Sequence, residues 1–159
     1  MRRAPSTVQA EIQQRHPFAS TAEEGVVALV RTADLLRRVL TKVVEPHGIT
    51  LQQYNVLRIL RGAGEAGLPT LEIASRMIEQ APGVTRLLDR LQAKGLVRRQ
   101  RSAEDRREIR CGIEPAGLRL LAVLDGAMQD GARRFMAPLA ASELAAFVTF
   151  LDTLRSGLS

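Results

Sequence analysis

The stretch Val84-Thr85-Arg86-Leu87-Leu88-Asp89-Arg90-Leu91, continued by Lys94-Gly95-Leu96-Val97, decides the fold. Val84, Leu87, Leu88 and Leu91 recur at helical spacing, which predicts a helix that buries this stripe and exposes Thr85, Arg86, Asp89 and Arg90. Pro82 suits the first turn of that helix, where a missing N–H costs nothing, and Gly95 is a C-terminal stop. After Gly95 the period changes. Leu96 to Arg101 reads as a short extended run and Ser102 to Arg107 as a polar turn. Ile109, Cys111 and Ile113 then alternate with Arg110 and Gly112, as in a half-buried strand. A helix with an exposed Thr/Arg face is therefore followed at once by a two-stranded hairpin with a basic tip.

Upstream, the first 20 or so residues carry Pro5 and Pro17 and no sustained period, so residues 1–19 are expected to be a flexible arm. Ser20 and Thr21, with Glu23 and Glu24 three residues on, form overlapping capping boxes. They open a long helix whose face is Val26, Val30, Ala33, Leu36, Leu40 and Val43, stopped by Pro46 and Gly48. Thr50 and Gln53 cap a second helix through Tyr54, Leu57 and Leu60, and a short third one after Pro69-Thr70 turns Ile73, Ala74 and Met77 inward. Downstream, Pro115 opens a helix with Leu121, Leu124, Met128 and Phe135, ended by Pro138. In the last helix Leu144, Phe147, Leu151, Leu154 and Leu158 step by three and four. The terminal helices carry more apolar stripe than a small lobe needs for its own core, which suggests subunit pairing.

The charge is placed as the hairpin would lead one to expect. The 159 residues carry a formal net charge of +6. Between Arg86 and Arg110 stand nine basic and four acidic residues, a net +5, while the rest of the chain is balanced to within one charge. A local excess of this kind suits docking to a polyanion, and its bland alternative is a solvated charged face. The single cysteine, Cys111, excludes an intramolecular disulfide and a cysteine-based metal site, which fits a reducing cytoplasm. No apolar run approaches the ~20 residues of a membrane span.

Two short helices, an exposed Thr/Arg helix face and a basic hairpin, in that order, make a winged helix-turn-helix. A major groove ~12 Å wide admits one helix, and a hairpin tip beside it can enter the electronegative minor groove. The expected architecture is mainly α with a small two- to three-stranded β-wing. Residues 49–114 would form the DNA-binding lobe, and 20–48 with 115–159 a helical dimerisation region.

The residues quoted above, with Glu104-Asp105-Arg106-Arg107 and Pro115-Ala116-Gly117, resemble the core of the multiple antibiotic resistance regulator (MarR) family, most specifically from Ile73 to Gly117. The resemblance implies a winged-helix homodimer paired through its terminal helices, acting mostly as a repressor on a pseudo-palindromic duplex. It also implies release by a small lipophilic or phenolic effector, held between the long first helix, the Tyr54 helix and the fifth helix, or in some branches by cysteine oxidation. By resemblance, Thr85 and Arg86 face the major groove, Arg90 lies nearer a phosphate, and Asp105 holds Arg107 for the minor groove beside a second wing cation, Arg106. Two departures stand out. Ile78-Glu79-Gln80-Ala81-Pro82-Gly83 lacks the usual Gly and Ser/Thr of the turn, and Glu114 replaces a capping Thr.

Other readings fare worse. Gly62-Ala63-Gly64-Glu65-Ala66-Gly67 matches G-x-G-x-x-G, but Pro69 would fall in the first turns of the required helix, so the glycines read as a flexible connection. A single-strand or RNA binder would stack bases on aromatics, and none lies between Tyr54 and Phe135. His16 and His47 lack ligand-spaced partners, so no metal or cofactor is expected, and no nucleophile-base pair suggests an enzyme. Cys111 reads as a small apolar strand residue, with a redox sensor as its alternative.

Overall fold

A computed structural model describes residues 7–80, 83–101 and 108–157. In chain order the elements are α1 (Thr7–Glu11), α2 (Thr21–Val44), α3 (Leu51–Ala63), β1 (Leu68–Pro69), α4 (Thr70–Ser75), α5 (Val84–Ala93), β2 (Val97–Arg101), β3 (Ile109–Ile113), α6 (Pro115–Met136) and α7 (Ala141–Ser156). The chain forms two compact units that divide within α2, after Val39.

The first unit holds α1 and most of α2. Residues 1–19 were expected to be an irregular arm, yet Thr7–Glu11 is helical, with Val8 and Gln9 buried. Arg31 on α2 meets Glu11 at 3.4 Å. The Ser20 cap forms: its hydroxyl accepts from the Glu23 N–H at 3.1 Å, and the Glu23 carboxylate accepts from the Ala19 N–H at 2.7 Å. Val26 and Val30 are 62% and 64% exposed.

The second unit, from Leu40 onward, contains the main core. Its α3 opens on the expected capping box, with Thr50 Oγ1 accepting from the Gln53 N–H at 3.2 Å and Gln53 Oε1 from the Thr50 N–H at 3.0 Å. Val44, Val56, Leu57, Leu60, Ile73, Leu88, Leu91, Cys111, Leu121 and Leu124 are the fully buried centre, where α3, α4, α5, the sheet and α6 converge. Each such aliphatic side chain contributes roughly 1.5–3 kcal/mol of transfer free energy.

The sheet is antiparallel and three-stranded, in the order β1-β3-β2. Val97 pairs with Ile113, Arg99 with Cys111 and Arg101 with Ile109, and β1 adds Leu68 opposite Cys111. Cys111 and Ile113 are buried as expected, but the alternation fails at Ile109 and at Gly112. Ile109, read as inward, is 52% exposed because the hairpin runs past the edge of the core there. Gly112, read as outward, is buried under the Arg98 guanidinium, which would lie 3.0 Å from an added Cβ.

The glycine-rich connection is shaped rather than slack. Gly64–Ala66 is a 3-10 turn, and Gly67 takes φ 60°, ψ −172°, with its α-carbon pressed against β3: a Cβ there would sit 2.4 Å from the Cys111 carbonyl oxygen.

Two features of the later helices bear on assembly. α6 starts at Pro115, and its N-cap residue Glu114 makes no side-chain cap hydrogen bond. α7 buries none of its residues: Leu144, Phe147 and Leu151 are half-buried, and Val148, Phe150 and Leu154 are 50–67% exposed.

Candidate nucleic-acid interface

The predicted stripe on α5 is the observed one. Val84, Leu88 and Leu91 are buried, Leu87 is half-buried, and Thr85, Arg86, Asp89 and Arg90 are exposed on the opposite face. The helix begins at Val84, and Pro82, expected in its first turn, lies outside the described residues. Gly83 is the N-cap, in a left-handed conformation (φ 106°) that favours glycine, and it supplies no side-chain cap. The first N–H groups of α5 therefore receive no side-chain cap from the N-cap residue.

The turn ahead of α5 is held from α3. Asn55 Oδ1 accepts from the Ile78 N–H at 2.9 Å, and Gln52 reaches Glu79 at 3.4 Å. Both come from the first turns of α3, which the Thr50 capping box fixes.

The basic residues of α5 and the sheet differ in how they are held. Arg98 donates to the Ile113 carbonyl at 2.7 Å, and Lys94 to the Gly48 carbonyl at 2.5 Å. Arg110 donates to the Ala66 carbonyl at 2.9 Å and the Gly67 carbonyl at 3.1 Å while pairing with Glu108 at 2.9 Å. Arg99 pairs with Asp89 at 2.5 Å and donates to the Thr85 carbonyl at 3.2 Å. Burial works most strongly against the Arg99 charge, but the hydrogen bonds and charges of Asp89 and Cys111 together outweigh it and raise its pKa above the ordinary guanidinium value. These four cations fasten the sheet and the helix ends, and they still add positive potential. Arg86, Arg90 and Arg101 are exposed, and so is Lys94 despite its bond to Gly48. Asp105, Arg106 and Arg107, the wing residues expected to enter the minor groove, lie outside the described residues.

Comparison with known proteins places the chain in a family. A profile of the MarR family matches residues 49–109, from the α3 cap to the start of β3. The crystal structure of a MarR transcription factor from Planctomyces limnophilus is 36% identical, superposes with a TM-score of 0.66, and is covered over 99% of its length by 86% of this chain. The chain belongs to the MarR family. A further relative, the HTH-type transcriptional regulator TtmR of Methylorubrum extorquens, is 34% identical over 98 residues, and the match spans about half of that protein (49%) and 62% of this chain. The S. aureus MepR–DNA complex shares the fold at 20% identity and a TM-score of 0.76, over 89% of this chain and 99% of that one.

Within this MarR family chain a second feature lies away from α5. Leu40, Tyr54, Arg58, Arg61, Asp125 and Met128 line a cleft of about 320 Å³. Arg61 grips Asp125 through both nitrogens, at 2.7 and 3.2 Å, and the Arg58 guanidinium stands 6.0 Å from the Tyr54 ring centre. The Arg61 hydrogen bond holds the Asp125 carboxyl below its usual pKa, and burial pushes the Tyr54 phenol above its own. Sequence reasoning placed a pocket between these three helices without choosing its lining. Arg61 and Asp125 are 64 residues apart, and no periodicity links them.

Cys111 is fully buried, with its sulfur 3.9 Å from the Thr70 hydroxyl. Among the described residues no group of three or more His, Cys, Asp or Glu side chains could hold a metal ion, and no single helix is long and apolar enough to cross a membrane.

Proposed function

We propose that this MarR family transcriptional regulator is a homodimeric, sequence-specific repressor that reads a pseudo-palindromic duplex in the cytoplasm. The observation that carries this reading is the α5 face: Thr85, Arg86 and Arg90 exposed, over a fully buried Leu88 and Leu91, with a two-stranded hairpin directly after it. Thr85 and Arg86 would meet base edges and Arg90 a phosphate. Arg107, held by Asp105 and accompanied by Arg106, would enter the minor groove. In this division of labour residues 49–114 bind DNA, 20–48 and 115–159 pair the subunits, and 1–19 are an arm.

Pairing is supported by α7. Helices in proteins take most of their stability from packing an apolar face, and this one of 16 residues buries no residue within its own chain. Exposed Val148, Phe150 and Leu154 on α7 give a partner subunit apolar surface to cover, and Val26 and Val30 on α2 are exposed as well. The effector would be a small lipophilic or phenolic molecule in the Tyr54 cleft, where Met128 and Leu40 offer apolar walls and Arg58 and Arg61 offer charge. Redox sensing by Cys111 fits less well, because the thiol is sealed in the core.

The test is selection from a pool of randomised duplexes, followed by footprinting and sedimentation. A pair of inverted half-sites about one helical turn apart, protected by a dimer, is the expected result. Enrichment of nothing, or a monomer at micromolar concentration, would refute it.

A further inference from the structure

The wing strand and the reading helix are joined by one side chain. Period-two alternation along β2 puts Arg99 on the same sheet face as Val97, opposite Cys111, so its stem starts over the core and its guanidinium emerges against α5. There the fork spans one helical turn. Nη1 pairs with Asp89 Oδ1 at 2.5 Å, and Nη2 donates to the Thr85 carbonyl at 3.2 Å. Asp89 lies four residues beyond Thr85 and three beyond Arg86, among the exposed residues of the helix. The Arg99 side chain is only 23% exposed, whereas Asp89 is 54% exposed, so the fork sits at the rear edge of the reading face with the carboxylate turned back onto it.

Two attachment points one turn apart constrain more than a single hydrogen bond does. The backbone contact at Thr85 fixes how close the start of α5 lies to β2, and the side-chain contact at Asp89 fixes its rotation about its own axis. A lysine at this position has no planar fork and could not hold both at once.

We propose that Arg99 is the positioning residue for DNA reading: it locks α5 to the wing strand β2, so that Thr85, Arg86 and Arg90 meet the major groove at a fixed orientation to the sheet. Arg99 then acts without touching DNA, and Asp89 serves as its anchor rather than as a reader of bases. This role rests on the DNA-reading proposal above.

The experiment compares full-length parent, R99A, R99K, D89N and R99A/D89N on the duplex the parent selects from a random pool and on poly(dI-dC), across a salt series. A mispositioned bidentate reader is worth ~1–3 kcal/mol of discrimination, so R99A is expected to lose about ten- to a hundredfold on the selected duplex with little change on poly(dI-dC). Its log-affinity against log-salt slope should match the parent's. R99K should lose nearly as much despite keeping the charge, and the double variant should be no worse than R99A alone. A slope shallower by ~0.9 with equal losses on both duplexes would make Arg99 a direct phosphate contact and overturn the proposal. Additive losses in the double variant, or parent-like binding by R99A or R99K, would overturn it too. D89N replaces an exposed carboxylate without altering the core, so it carries the test if R99A does not fold, and parent-like discrimination by D89N then counts against the role. A parent that selects no sequence would remove the DNA-reading proposal, and this role with it.

Discussion

Replacing Gly67 by alanine is expected to destabilise the protein by about 4 kcal/mol, whereas the same change at Gly62 should stabilise it. At Gly67 two costs combine. The backbone stands at φ 60°, ψ −172°, a region that L-residues rarely adopt, for which strain of about 1–3 kcal/mol is usual. The new Cβ would also lie 2.4 Å from the Cys111 carbonyl oxygen and 3.0 Å from its carbon, both backbone atoms of β3. They cannot step aside without opening the β1–β3 pair and pulling the Ala66 and Gly67 carbonyls off Arg110, so about 1–3 kcal/mol of overpacking is added. Gly62 lies on the exposed side of α3 with nothing within 4 Å of an added Cβ, so alanine there should gain about 0.5–1 kcal/mol. Thermal and urea unfolding at one fixed protein concentration measure both. For a chain of this size the Gly67 variant should melt roughly 8–16 °C lower. A Gly67→Ala variant within about 0.5 kcal/mol of the parent, or a Gly62→Ala variant that falls as far, would refute the reasoning.

Three further outcomes are expected. Arg86→Ala should weaken binding to a selected duplex more than to random DNA, and Arg107→Ala should lose affinity mainly where the minor groove is A·T-rich; equal losses on random duplex in gel shifts would contradict both. The Asp125 carboxyl titrates lower when folded, so the stability it contributes is complete above its ordinary value of 3.8 and is lost as the pH falls through the folded value. The pair is about one-third exposed, so the effect is under about 1 kcal/mol; between pH 2.5 and 5 the urea midpoint should fall further in the parent than in Asp125→Asn, and equal falls would contradict it. Phe150→Asp, at a position 67% exposed in the single chain, should leave helicity intact and shift sedimentation from dimer to monomer; an unchanged dimer would place the interface elsewhere.

What the sequence disclosed and what it withheld divide along a physical line. The α5 stripe, the Thr50 and Ser20 caps and the strand run at Cys111 and Ile113 depend on neighbours within one or two turns, and period and capping chemistry report on those. The two-residue strand Leu68–Pro69 and the five-residue helix at Thr7 are too short to show any period. Gly67 looked like one of three loose glycines because its constraint comes from Cys111, 44 residues away in the chain. Of the candidate site, Thr85, Arg86 and Arg90 could be placed from spacing alone. Arg99 was counted only as one charge among nine, since its partners belong to a different element. The alternation that buries Val97 and Cys111 is the one signal in the sequence that points its side chain inward. Arg61 and Asp125 left no trace in one dimension.

The last helix has a consequence for how such a regulator would be controlled by quantity. Given the homodimer proposed above, the cover for α7 is supplied only by a second copy, so the free energy that holds it is set by mass action. Each tenfold dilution withdraws about 1.4 kcal/mol from the paired state. Below the dissociation constant the number of DNA-competent pairs then falls as the square of the number of chains, and operator occupancy becomes a steeper function of copy number than of the affinity of either half-site.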